Sequence, residues 1–364
     1  MITPRTTIPQ RTGSRSFLRR TVAVAVMAGA LTTGLLACSP AGTTDGKIAL
    51  LLPDVKTARY ETFDRPIFTA KVEQLGDYDV LYSNADQDAA KQQQQAESAL
   101  ANGAGVIVLD PVDAKAAVSI VTEANSRGVP VISYDRLVAG GDIAYYISFD
   151  NEKVGMLQAE ELSAALAARG EERGEILMVN GSPTDANAAL FSEGARAVLD
   201  GTELTVLGEF STPDWSPDKA QEWVAGQIAQ YRDRISAVYA ANDGTAGGAI
   251  AALKAANVDP LPLVTGQDAE LSAIQRILTG DQFMTVYKAI RQQAENAAEA
   301  AVTLLGGGEI DAATQVDGIP ATLLEPVAVT IDNISDTVIA DGFWTADDIC
   351  TPDYAAACTA AGIE

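Results

Sequence analysis

Residues 106–134 read VIVLDPVDAKAAVSIVTEANSRGVPVISY. A short β-rich run (106–109) stops at Asp110-Pro111, a longer helical pattern fills 114–127, and a second β-rich run follows at 129–134. Strand, helix, strand in this order is a βαβ unit, which pairs its two strands in parallel and lays the helix on one face of the sheet.

The same alternation extends in both directions. Upstream runs lie at 47–52 and 79–83, and another follows at 143–149. A second series comprises 175–179, 204–210, 237–240, 263–266 and 283–287. Helical patterns intervene at 88–102, 154–169, 187–199, 217–230, 245–256 and 270–279, and a long one closes the second series at 290–305. Two such series predict an α/β protein of two doubly wound, parallel-sheet lobes.

The residues at the strand ends carry the functional information. The runs end as Pro53-Asp54, Asn84, Asp110, Asp135-Arg136, Asn180, Asn242-Asp243, Gln267-Asp268 and Lys288. Ligands of open α/β sheets bind outside the carboxyl ends of the strands, so two facing lobes would enclose a cleft lined by carboxylates, amides, Arg and Lys. Asx residues there also serve as turn formers and helix N-caps. Asp110, followed by proline, and Asn84 fit that role; the adjacent charges of Asp135-Arg136 fit it less well. A neutral polyhydroxy ligand needs donors and acceptors at every hydroxyl and a flat partner for its apolar face. Tyr60 and Trp215, each in a polar loop, are the candidate platforms, with packing anchors as the alternative role.

Composition removes whole classes of chemistry. Histidine is absent, which excludes Ser-His-Asp and Cys-His triads and His-based zinc sites. Lys and Arg number 25 against 49 Asp and Glu, a formal net charge of −24. Such acidity opposes nucleic acid as a partner. No P-loop, Gly-x-Gly-x-x-Gly or Gly-x-Ser-x-Gly motif occurs. Asn84, Asp86 and Asp88 begin like a calcium loop, but Ala89 and Gln95 occupy the positions that need Gly and Glu. No cofactor or metal is expected. The glutamines at 92–95 read as a solvated helix face.

Residues 1–37 carry five arginines and no carboxylate, with an apolar stretch at 21–36 ending in Leu35-Leu36-Ala37-Cys38. This reads as an export signal. Its end resembles a bacterial lipobox, which implies cleavage before Cys38 and a lipid anchor on that residue; a plain signal with an incidental cysteine is the alternative. Residues 38–46 then form a flexible linker. In an oxidising compartment Cys350 and Cys358 are a candidate disulfide, with two free thiols as the alternative.

The segments 131–150 (VISYDRLVAGGDIAYYISFD), 151–155 (NEKVG), 181–191 (GSPTDANAALF), 242–250 (NDGTAGGAI), 266–268 (GQD) and 284–288 (MTVYK) resemble the xylose-binding proteins of bacterial ABC importers, within the pentose and hexose group of periplasmic binding proteins. The resemblance runs from about residue 47 to 343. It implies two lobes joined by a multi-strand hinge: 47–149 plus 289–326, and 150–288 plus 327–345, followed by a tail at 346–364. It implies no catalysis, a monomer, and a bound monosaccharide, D-xylose, passed to an ABC transporter permease; glucose or another aldose, or a sugar-sensing role, are alternatives. An exported glycosidase using two carboxylates is the enzymatic rival. Carried over, the sugar contacts are Arg59, Tyr60, Asp135, Arg136, Asp185, Asn187, Trp215, Asn242, Asp268 and Lys288. Tyr60 departs from the Trp usual in xylose binders, which bears on ligand preference.

Overall fold

The computed structural model describes residues 46–312 and 314–363. The export signal, Cys38 and the linker up to residue 45 lie outside the described residues. Gly46, assigned to the linker from sequence, is already the first residue of strand β1.

The first sheet contains β1 (Gly46–Leu52), β2 (Tyr78–Asn84), β3 (Ala104–Leu109), β4 (Val131–Tyr134), β5 (Tyr145–Phe149), β11 (Thr314–Val316) and β12 (Ile319–Leu324). Its order is β11-β12-β5-β4-β3-β1-β2. Every pairing is parallel except the terminal β11–β12 hairpin. β1 and β3 bury nearly every side chain, as strands covered on both faces must. On one face Phe68 and Val72 of helix Arg65–Leu75 and the alanine stripe of helix Ile290–Leu305 pack on Ile48, Leu50 and Val106. On the other, Ala96 and Ala99 of helix Ala89–Ala101 and Ile120 and Val121 of helix Val118–Ser126 meet Leu51, Ile107 and Leu109.

The second sheet has β6 (Glu175–Asn180), β7 (Thr205–Ser211), β8 (Ile235–Ala240) and β9 (Leu263–Val264), all parallel, in the order β7-β6-β8-β9. β10 (Thr285–Tyr287) continues it irregularly through Phe283 N to Val264 O (2.9 Å) and Val286 N to Gly266 O (3.0 Å), and pairs antiparallel with β13 (Val327–Val329). Helices Asn151–Ala168 and Ala186–Leu199 cover one face; Pro217–Tyr231 and Asp243–Ala255 cover the other. The chain passes between the lobes three times, after β5, after β10 and between β12 and β13. The expected pair of doubly wound lobes with a multi-strand hinge is therefore the fold observed.

Several details differ from the sequence reading. Helix Arg65–Leu75 has no counterpart in it, and the segment 114–127 becomes helical only at Val118–Ser126. In the tail, helices Ala346–Ile349 and Ala355–Ala361 are joined by the Cys350–Cys358 disulfide expected from sequence, and Ile349 and Cys358 pack against Ile274 and Ile277. No helix among the described residues is long and apolar enough to cross a membrane.

Candidate functional site

The carboxyl ends of both sheets converge on one cavity with at most about 280 Å³ of atom-free space. Arg59, Tyr60, Asp135, Arg136, Asp185, Asn187, Trp215, Asn242, Asp268 and Lys288 all line it, joined by Thr57, Phe191 and Gln267. The convergence follows from parallel topology, which brings every strand's following loop to the same edge.

Arg59 and Tyr60 stand at the start of a short helical turn, Tyr60–Asp64, rather than in a loop, and both are buried. Arg59 is held by Asp64 (Nε to Oδ2 3.0 Å), by Gln293 Oε1 (2.6 Å) and by Asp135 Oδ1 (2.9 Å). These bonds occupy three edges of the guanidinium fork, and a planar group so fixed cannot swing. Asp135 follows β4 with a left-handed φ of 59°. Burial alone would raise its pKa, but Arg59, Lys288 and Arg136 hold it well below the ordinary carboxylate range, so it stays an acceptor. The Tyr60 hydroxyl donates to Asp135 Oδ2 (3.3 Å) and accepts from Arg136 Nη2 (3.0 Å).

Arg136 is 2% exposed and ties the lobes together. Its Nε lies 2.9 Å from Asp185 Oδ2 of the second lobe, and Nη2 reaches Asp54 Oδ2 of the first at 3.3 Å. Asn187 Nδ2 donates across the cleft to Asp135 O (3.1 Å), and Ala114 N to Thr184 O (3.0 Å). Asp185 is both the N-cap of its helix, accepting from Asn187 N (2.9 Å), and a cavity wall, accepting from Trp215 Nε1 (3.0 Å). The N-cap and cavity roles therefore coincide in one side chain.

Trp215 lies in the turn Pro213–Trp215, buried and at φ 52°. Its ring passes over Gly181, where a Cβ would stand 2.1 Å from the indole Cη2. Only glycine permits that approach. Asn242 caps helix Asp243–Ala255 through a reciprocal box with Thr245. Asp268, at φ 94°, pairs with Lys288 (2.8 Å), and both are buried. Asn187 Oδ1 and Gln267 Oε1 are buried with no protein partner, so acceptors remain for a ligand's hydroxyls.

Asp110 corrects the sequence reading. Read from sequence as a turn former, it is fully buried beside the site, with Oδ1 3.5 Å from Arg136 Nε. Burial, opposed only in part by Arg136, raises its pKa well above the ordinary range. Gln92, expected on a solvated face, is also buried; it donates to Asp110 O (2.8 Å) and accepts from Val112 N (2.9 Å), pinning the loop after β3. Asp64 and Gln293, the residues that fix Arg59, carried no sequence signal: Asp64 closes a turn with no periodic pattern, and Gln293 lies inside the long helix Ile290–Leu305. No cluster of metal-binding side chains occurs among the described residues.

Residues 48–309 match the profile of the periplasmic binding protein domain. The D-xylose-binding periplasmic protein of Haemophilus influenzae is 38% identical over 335 residues, covering 90% of this chain and 98% of that protein. The D-xylose-binding periplasmic protein of Escherichia coli is 39% identical over 305 residues, 82% of this chain and 90% of its own length. Among solved structures, an ABC transporter solute-binding protein from Clostridium phytofermentans with bound β-D-glucose superposes with a TM-score of 0.77 at 28% identity, covering 83% of this chain and 99% of that one. With the fold, the profile and both relatives in agreement over most of its length, this chain belongs to the periplasmic binding protein family and is a binding protein, not an enzyme.

Proposed function

We propose that this protein captures a monosaccharide, D-xylose, between its lobes and delivers it to an ABC importer from a lipid anchor at Cys38. The lobes in this reading are 47–149 plus 289–326 and 150–288 plus 327–345, and the protein acts as a monomer. The observation that carries the reading is the cavity itself. Its wall alternates cations, carboxylates and amides from both lobes, with Trp215, Phe191 and Tyr60 among them. Names of the relatives support D-xylose as the sugar, and the glucose-bound neighbour makes D-glucose the first competitor to examine. A ligand that gains hydrogen bonds from both lobes only when they meet shifts the open–closed equilibrium by that difference in affinity.

Calorimetric titration of the protein lacking residues 1–37 against D-xylose, D-glucose, D-xylonate and xylobiose tests this. D-xylose is expected to bind tightest. Arg59, Arg136 and Lys288 are already paired with carboxylates, so the added negative charge of D-xylonate finds no free cation and it should bind at least about tenfold more weakly. Heat from xylobiose but none from either monosaccharide would overturn the proposal. Membrane fractionation of Cys38→Ala tests the anchor: release or blocked processing is expected, and unchanged cleavage and membrane association would refute it.

A further inference from the structure

Asp268 and Ala269 are consecutive non-glycine residues in the left-handed region, at φ 94° and φ 49°. Such a backbone persists only where its surroundings hold it. Three bonds do so here. Asp268 N donates to Val286 O (2.9 Å), Ala269 N to Thr285 Oγ1 (3.2 Å), and the carbonyl of Ala269 accepts from Trp344 Nε1 (2.8 Å). The first two come from the neighbouring strand of the same sheet. The third comes from the C-terminal segment, outside all the motifs that carry the family resemblance.

Trp344 also touches the opposite lobe. Phe63, three residues beyond Tyr60, stacks on Phe343 with centroids 4.1 Å apart and meets the Trp344 ring edge-on at 4.9 Å. Phe343 and Trp344 belong to the apolar cluster that includes Ile274, Ile277 and the disulfide-bonded Cys358, so they travel with the second lobe. One aromatic pair thus contacts the turn that presents Arg59 and Tyr60 and the loop that presents Asp268.

We infer that Trp344 is a positioning residue for the sugar site: its indole N–H fixes the strained Asp268-Ala269 backbone, and its ring locks that loop to the Arg59-Tyr60 turn when the lobes meet. The inference rests on the proposed sugar-binding function and extends it to a residue that touches no ligand. The ring contact with Phe63 exists only where the lobes meet, whereas the N–H bond to Ala269 lies within the second lobe and shapes the Asp268 loop before sugar arrives.

The test is a double-mutant cycle in D-xylose affinity, pairing Trp344→Phe with Asp268→Asn. Trp344→Phe keeps an aromatic ring and removes the N–H. It is expected to raise Kd about fivefold, the value of one neutral hydrogen bond. The melting temperature of the sugar-free protein should fall modestly as well, because the bond to Ala269 lies within the second lobe. In the Asp268→Asn background the same substitution should change Kd less than twofold, because Trp344 acts through that side chain. Phe63→Leu, which spares the indole bond, should speed dissociation. Unchanged affinity in Trp344→Phe would overturn the inference. So would full additivity with Asp268→Asn. Failure of the unaltered protein to bind any sugar refutes the functional reading at the first titration, before the variants are compared.

Discussion

Asp268→Asn isolates one charge in the site. Asparagine has the same shape and tolerates the left-handed φ of 94° that Asp268 adopts, so the backbone is not the variable. Two effects follow. A hydrogen bond to a charged acceptor contributes about 1.5–3 kcal/mol and one to a neutral acceptor about 0.5–1.5. The difference, about 1–1.5 kcal/mol, predicts a Kd for D-xylose raised roughly 5- to 15-fold. Lys288, 3% exposed, also loses its partner at 2.8 Å. An abandoned buried charge costs up to about 3–5 kcal/mol; Asp135, whose carboxylate also feels the Lys288 charge, holds the penalty below that ceiling. Calorimetry gives the first quantity and thermal unfolding of the sugar-free protein the second. Glu203→Gln, in an exposed ion pair with Arg173, is the control and should change neither. Native affinity in a folded Asp268→Asn protein would show that the carboxylate does not face the sugar.

Gly181→Ala drives a Cβ into the Trp215 ring; D-xylose affinity should fall at least about tenfold as stacking area is lost, and titration of the purified variant measures it. Burial raises the pKa of both Asp243 and Glu270, which also repel each other, so the folded state binds protons that the unfolded chain has released. Stability from these groups is thus fully present below the ordinary carboxylate range and declines as pH rises toward neutrality and beyond; melting temperatures from pH 5 to 8 should fall, and Glu270→Gln should flatten the slope. The depressed Asp135 has the opposite sign, losing its contribution only as pH falls far below that range. Replacing Cys350 and Cys358 with alanine should cost at most about 2–3 kcal/mol, the entropy of a short loop, while D-xylose affinity stays within about threefold; a complete loss of binding would contradict this.

The lobes and the cavity wall were legible because both follow from local pattern. Alternating strand and helix dictates parallel sheets, and parallel sheets deliver Asp135, Asn242, Asp268 and Lys288 to one edge. Asp185 and Asn187 needed the family resemblance, since a helix start looks the same whether or not it faces a ligand. Asp110 was misread because Asp-Pro after a strand has the composition of a surface turn; its burial comes from Gln92, Arg136 and the second lobe, none adjacent in sequence. Asp64 and Gln293 were invisible for a related reason. Asp64 sits five residues from Arg59 in a turn that no periodicity marks, and Gln293 reaches Arg59 only through helix packing, from 234 residues away. The contacts of Trp344 likewise depend on the tail folding back, which no periodicity announces.

The first sheet is finished by the end of the chain. β12 pairs with β5 in the register Ala321 to Tyr146, and helix Ile290–Leu305 supplies the Gln293 amide shared by Arg59 (2.6 Å) and Asp135 (3.3 Å). Most of the second lobe, through β10, is threaded between those two instalments, and β13 with the tail completes it after them. A polypeptide emerging N-terminus first therefore leaves both lobes unfinished until its last segments appear, because each has a non-local pairing that must wait for them. Any chain broken off before residue 290 would lack both the Gln293 amide that orients Arg59 and the Trp344 indole that holds the Asp268 loop. The ability to hold sugar is thus acquired last, and a truncated product cannot compete with full-length protein for ligand.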